Sequence, residues 1–215
     1  MTGAVLLDLD GTLSDSRPGI AASFRFTLTE LGHDADKAGD LTWAVGPPIA
    51  VSLERLLQPY GDTRVDKALG IYRERYSAVG LYDCSVYAGI ADMLDELRAA
   101  GMTMCIATSK RKDFAERVID HLGLRGYVRN VYGALPGGGL DHKHDLLAHI
   151  LSVERFPAEA CVMLGDRLHD IEAAKRNAIP SIGALWGYGG REELEAAGAG
   201  AIAAVPDDVA RIVLA

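Results

Sequence analysis

The chain has 215 residues, 49% of them hydrophobic and 24% charged, which is enough apolar material for one large domain or two small ones. A formal net charge of −8 removes the electrostatic footprint of a nucleic-acid or anionic-membrane binder, and makes any phosphate site a local positive spot in an acidic protein. No apolar run approaches a membrane span, the N-terminus enters a strand-like run with no signal region ahead of it, and the three cysteines, Cys84, Cys105 and Cys161, are scattered without CxxC spacing, so a reducing, cytoplasmic setting is expected.

The first element is the apolar run Ala4-Val5-Leu6-Leu7, a short buried strand drawn over Val5–Asp8 that ends in Asp8-Leu9-Asp10-Gly11-Thr12. Side chains alternate along a strand, so Asp8 and Asp10 leave its end on one side, and Gly11 permits a tight turn after them. Two acids held close repel unless a shared proton or a cation neutralises them, and an oxygen-only cluster suits a hard cation such as Mg2+.

Residues 16 to 87 contain no convincing strand. Ile20, Phe24, Leu28 and Leu31 fit one helix, entered near Ser16 and Pro18; Ile49, Leu53, Leu56 and Leu57 fit a second, after Pro47-Pro48; Val65, Leu69, Tyr72, Tyr76 and Val79 fit a third. From residue 88 strand-like and helix-like segments alternate, which predicts a parallel sheet covered on both faces. Strands are predicted near Thr103–Ala107, Val131–Ala134, Cys161–Gly165, Ser181–Ala184 and Ala201–Ala204. Between them lie helical stripes: Ile90, Leu94 and Leu97; Phe114, Val118 and Leu122, with Asp113 as N-cap and Gly123 as C-cap; Leu146, Leu147, Ile150 and Leu151; and Ile171, Ala174 and Ala178, stopping before Pro180.

Four segments at or near strand ends carry chemistry, and the carboxyl ends of parallel strands are where ligands bind. They are the Asp8/Asp10 pair, the Thr108-Ser109 hydroxyl pair, Lys143 after the Gly137-Gly138-Gly139 loop, and Gly165-Asp166 with Asp170 four residues on. The hydroxyls can meet a phosphate oxygen or simply cap a turn, and Lys143 can neutralise a phosphoryl group or sit solvated on a helix. Asp166 and Asp170 would complete a carboxylate cage with the first pair.

Asp8-Leu9-Asp10-Gly11-Thr12 resembles the first signature of the haloacid dehalogenase-like hydrolases, and the four segments in order resemble that family's full set over most of the chain. The resemblance implies an α/β fold: a Rossmann-like parallel sheet core with helices on both faces, in residues 1–15 and 88–215, plus an inserted all-helical cap domain in residues 16–87. It implies Asp8 as the nucleophile that forms an aspartyl-phosphate, Asp10 as general acid/base, and Thr108, Ser109 and Lys143 around the phosphoryl group. Mg2+ would be held by Asp8, Asp166 and the backbone carbonyl of Asp10, with Asp170 contributing directly or through water. Dehalogenases lack the second acid, so Asp10 favours phosphate chemistry. A cap in this position closes over the site and reads the leaving group, and Gly46-Pro47-Pro48 resembles the turn of the phosphoglycolate phosphatase-like branch, which makes Gly46 and Pro47 possible substrate contacts.

The expected activity is Mg2+-dependent hydrolysis of a small phosphorylated metabolite, 2-phosphoglycolate being one candidate, by a monomer or homodimer with no nucleic-acid or membrane partner. A 5'-nucleotidase, a phosphomutase of the β-phosphoglucomutase type and, in a different class, a phospho-acceptor signalling module would use similar residues. Asp141-His142-Lys143-His144 also admits a transition-metal reading, though a polar loop is expected there. Gly187-Tyr188-Gly189-Gly190 lacks the spacing of a dinucleotide turn and reads as a flexible loop, with Trp186 and Tyr188 at the rim of the site or simply packed. Arg17, Arg55, Arg73 and Arg75 are candidate anion contacts or ordinary helix charges.

Overall fold

The computed structural model describes residues 3–135 and 138–215, so Gly137 of the triple-glycine loop lies outside the described residues. The chain forms two compact units, one from residues 1–15 and 86–215 and the other from residues 16–85.

The first unit is built on six parallel strands: β1 (Ala4–Leu7), β2 (Thr103–Arg111), β3 (Asn130–Ala134), β4 (Cys161–Gly165), β5 (Ser181–Ala184) and β6 (Ala201–Ala203), in the order β3-β2-β1-β4-β5-β6. Ala4 to Leu7 pair with Thr103 to Ile106 on one side and with Cys161 to Leu164 on the other. All four β1 residues are buried, as expected of a strand flanked and covered on both faces. Ala4, Leu6, Cys105, Ala107, Cys161 and Met163 point to one face, where Leu146, Leu147, Ile150, Ala173 and Ala174 cover them. The two buried cysteines are thus small core residues. The strand order reverses direction between β1 and β4, the position at which open parallel sheets leave a crevice beyond their carboxyl ends.

The second unit packs helices α1 (Arg17–Glu30), α2 (Ile49–Leu57) and α3 (Val65–Ala78) around Phe24, Leu28, Leu53, Leu57, Tyr72 and Tyr76. Phe24 and Tyr72 rings lie 4.7 Å apart. Asp62 joins His33 and Arg64, each at 2.7 Å. Val79, predicted on the third helix's apolar face, lies beyond its end and is 45% exposed.

The remaining helices belong to the first unit: α4 (Ile90–Ala99), α5 (Lys112–His121), α6 (Lys143–Glu154), α7 (Leu168–Arg176), α8 (Arg191–Ala197) and α9 (Asp207–Val213). Three local expectations are corrected. Asp113 does not cap α5; it sits inside the first turn and pairs with Arg111 at 2.8 Å. Ala178 falls outside α7, in a positive-φ turn ahead of Pro180. Strand β2 does not stop at Ala107 but runs on to Arg111 through an irregularity that bears on the site.

Candidate active site

Asp8 is the first residue past β1, and its N–H donates to the Leu164 carbonyl at 2.9 Å, extending the β1–β4 ladder by one step. The chain then turns at Gly11, whose φ of +93° is open to glycine and strained for other residues. A Cβ at Gly11 would also lie 2.7 Å from both the Asp166 carboxyl carbon and the Tyr188 ring. Gly11 therefore gives the turn its shape and gives Asp166 its room.

Asp166 follows β4 directly and is fully buried; Asp170 is the third residue of α7, 3% exposed. A Cβ at Gly165 would overlap the Asp170 carboxyl group, so the glycine is what lets Asp170 fold back over the strand end. Each of Asp8, Asp166 and Asp170 offers a carboxylate oxygen within 4.8 Å of the others. Lys143, the first residue of α6, turns inward and is 7% exposed. Its Nζ donates to Asp8 Oδ1 at 2.6 Å and lies 2.8 Å from Asp170 Oδ1. The solvated-helix alternative for Lys143 is thereby excluded.

The electrostatics follow from burial. Desolvation pushes the Asp8 carboxyl up to about 7, with Lys143 opposing the shift and Asp170 adding to it. Asp166 is raised well above the carboxylate range, first by burial and then by the charges of Asp8 and Asp170. Burial works against the Lys143 charge too, but Asp170 and Asp8 outweigh it and hold its pKa above the ordinary lysine value. Three buried acids with one lysine among them are short of positive charge, and an all-oxygen donor set of this kind fits a hard divalent cation.

The other residues fall into place around this cluster. The Asp10 carboxylate is not in the triad: its Oδ1 accepts from Lys110 Nζ at 2.7 Å. Thr108 is 1% exposed and its Oγ1 accepts from the Lys110 backbone N–H at 3.2 Å, a turn-type bond, whereas Ser109 is exposed. Gly46 is exposed and Pro47 half-buried, just ahead of α2 in the second unit. Arg55 stacks on the Trp43 ring at 4.1 Å and Arg75 on Phe26 at 5.1 Å, while Arg73 is an exposed helix residue. The histidines beside Lys143 stack on each other at 5.6 Å, and among the described residues no histidine joins the candidate metal group.

Of residues 187–190, expected to be a flexible loop, the first three clasp Asp166. The Tyr188 N–H donates to Asp166 Oδ2 at 2.7 Å, and a Cβ at Gly187 would overlap Asp166 and the Gly11 carbonyl. Trp186 Nε1 donates to the Thr12 carbonyl at 2.8 Å, and the buried Thr12 Oγ1 donates to Asp166 Oδ1 at 3.3 Å. Tyr188 Oη donates to Asp15 at 2.9 Å. Of the two places open to Tyr188, it takes the one at the site, while Lys110, and the contacts of Thr12 and Gly187 with Asp166, are features of the site that sequence patterns did not single out. The adjacency of Lys110 to the hydroxyl pair was the one available signal.

A family model for haloacid dehalogenase-like hydrolases matches residues 5–184, which takes in every acid and lysine of this cluster. The chain belongs to that family. It is 39% identical over 194 residues to a 5'-nucleotidase from Pseudomonas aeruginosa, covering 89% of this chain and 86% of that one. It is 32% identical over 203 residues to a phosphoglycolate phosphatase from Colwellia psychrerythraea, covering 88% and 87%. It is 38% identical to the tyrosine-protein kinase PtkA of Mycobacterium tuberculosis over 86% of this chain but 62% of that protein. A solved haloacid dehalogenase-like hydrolase from Streptococcus pneumoniae superposes with a TM-score of 0.89 at 28% identity, covering 98% of each chain. Among the described residues no helix is long and apolar enough to cross a membrane.

Proposed function

We propose that this hydrolase removes phosphate from a small soluble phosphate monoester, with Mg2+ held by Asp8, Asp166 and the Asp10 backbone carbonyl, and Asp170 beside it or bound through water. The observation that carries the reading is the buried Asp8–Asp166–Asp170 cluster with Lys143 laid between Asp8 and Asp170. Loaded with the cation, the site offsets the charge that would otherwise keep a phosphate dianion away from a carboxylate nucleophile. An Asp8 oxygen attacks phosphorus, the bond from phosphorus to the leaving oxygen breaks, and the Asp10 carboxyl proton passes to that oxygen. Water then attacks the aspartyl-phosphate and gives a proton back to Asp10; the Asp8–phosphorus bond breaks and inorganic phosphate leaves. Lys143 steadies Asp8 and meets the phosphoryl oxygens, and Ser109, exposed beside the bulge, offers a further hydroxyl. Residues 16–85 act as the cap that selects the ester.

Phosphate release from 2-phosphoglycolate, nucleoside 5'-monophosphates, sugar phosphates and pyrophosphate, with and without Mg2+, tests the reading. The similarity to a 5'-nucleotidase is the specific reason to weigh nucleotides equally with 2-phosphoglycolate. Turnover of one class only when Mg2+ is present supports the proposal. A long-lived phosphoaspartate without turnover favours a phospho-acceptor, and phosphoryl exchange between sugar phosphates without release favours a mutase.

A further inference from the structure

The geometry points to Lys110 as a positioning residue for Asp10, an inference that rests on reading Asp10 as the acid/base. Along β2 the pairing with β3 jumps from Ala107↔Tyr132 to Arg111↔Ala134, so four steps on one strand match two on the other. The extra residues bulge out, and a bulge breaks the strand's alternation and re-aims a side chain. Gly133 on β3 makes the space: a Cβ there would overlap the Lys110 carbonyl and come within 3.1 Å of the Lys112 nitrogen. The result is a lysine side chain only 6% exposed, with Nζ 2.7 Å from Asp10 Oδ1.

This differs from the surface lysine pairs of the same protein. Lys37–Asp34 is 3.7 Å long with its lysine 74% exposed, and Lys112–Glu116 is 3.9 Å long with its lysine 46% exposed. Burying an ammonium is unfavourable unless its partner is well placed, so an ordinary surface counter-ion would not be held this way. Lys110 takes one Asp10 oxygen and so fixes the carboxyl plane, presenting the other oxygen to the leaving group and later to water.

The consequence is a dependence on the leaving group. An alkoxide must be protonated as it departs, whereas a nitrophenolate need not, so loss of Asp10 alignment hurts alkyl esters far more. The test uses the full chain with Mg2+ and compares kcat/KM, which reports phosphoenzyme formation, on the best alkyl phosphate of the panel and on p-nitrophenyl phosphate. Lys110→Met is expected to lose about 10- to 100-fold on the alkyl ester and no more than about threefold on the aryl ester. Lys110→Arg should restore most of the loss, and adding Lys110→Met to Asp10→Asn should change little further. An equal loss on both esters, a rise in KM alone, or additive losses in the double variant would overturn the proposal. If Asp10→Asn itself loses equally on both esters, the reading of Asp10 fails independently of Lys110. Should Lys110→Met not fold, Lys110→Gln keeps a donor without the charge and must show the same ester dependence.

Discussion

Gly187→Ala should damage this protein well beyond the usual effect of adding one methyl group to a loop. The new Cβ would lie 2.5 Å from Asp166 Oδ2 and overlap the Asp166 side chain and the Gly11 carbonyl. Ordinary contact needs roughly 3.5 Å, so the loop must retreat by about 1 Å. The Tyr188 N–H bond to Asp166, now 2.7 Å, would then stretch past hydrogen-bonding range. Losing a bond to a buried carboxyl group costs about 1.5–3 kcal/mol, and overpacking adds about 1–3 kcal/mol. The sum, about 2.5–6 kcal/mol, corresponds to a drop in Tm of roughly 5–25 °C for a chain of this size. Gly190→Ala is the matched control. Nothing lies within 4 Å of a Cβ there, its φ of −90° suits alanine, and only its place at the N-cap of α8 argues for glycine. Its stability should stay within about 1 kcal/mol of the parent. Thermal unfolding followed by tryptophan fluorescence reports both, because Trp186 sits in the same segment. A Gly187→Ala variant with the parent's midpoint and Mg2+ affinity, or a Gly190→Ala variant equally impaired, would refute the claim that this loop is a clasp.

Other outcomes follow from the same cluster. Asp8→Asn should cut turnover by about 10⁴-fold or more while the fold stays intact, since the amide oxygen can still accept from Lys143; circular dichroism and steady-state kinetics check both parts. The raised Asp8 carboxyl makes the metal-free protein bind more protons folded than unfolded between its ordinary value of 3.8 and about 7. Its stabilising contribution is therefore full below that window and is lost as pH rises through about 7, and Asp166 acts in the same direction. Metal-free Tm should fall between pH 5 and pH 8, and saturating Mg2+ should raise Tm more at pH 8 than at pH 5, where protons compete for the same oxygens. Asp166→Ala should weaken Mg2+ binding by at least about 100-fold in calorimetry, a larger loss than outer partners of a metal site usually give. A variant that binds Mg2+ as the parent does would remove Asp166 from the ligand set.

Some of this was legible along the chain and some was not, for reasons visible in particular residues. Cys161–Gly165 and Ser181–Ala184 read correctly because each is a short apolar run between turn residues, which is how a fully buried parallel strand is written. Lys143 carries no such local signal; it declared itself only as one of four segments in the right order. Lys110 carries no such signal either, because strand periodicity ends with the apolar residues at Ala107, and a bulge answers to the neighbouring strand's Gly133 rather than to its own sequence. The Gly187–Gly189 segment is hard to read for a related reason. Gly187 and Gly189 are small so that Asp166 can be approached closely, and that partner stands twenty-odd positions away. Long-range acceptors and close backbone approaches leave no periodic trace.

The strand order also has a bearing on how the chain comes off the ribosome. Strand β1 is made first yet occupies the middle of the sheet, between strands that begin at Thr103 and Cys161. Residues 16–85, by contrast, are contiguous and complete their helices early. During synthesis at about 5–20 residues per second, the apolar Ala4–Leu7 segment waits roughly 5–20 seconds with both of its hydrogen-bonding edges uncovered. The same delay applies to chemistry, since Asp8 must wait for Lys143 and then for Asp166 to be made. A nascent chain therefore carries a sticky central strand but cannot yet assemble the acidic cluster, which makes this short N-terminal segment the one a chaperone would most usefully shield.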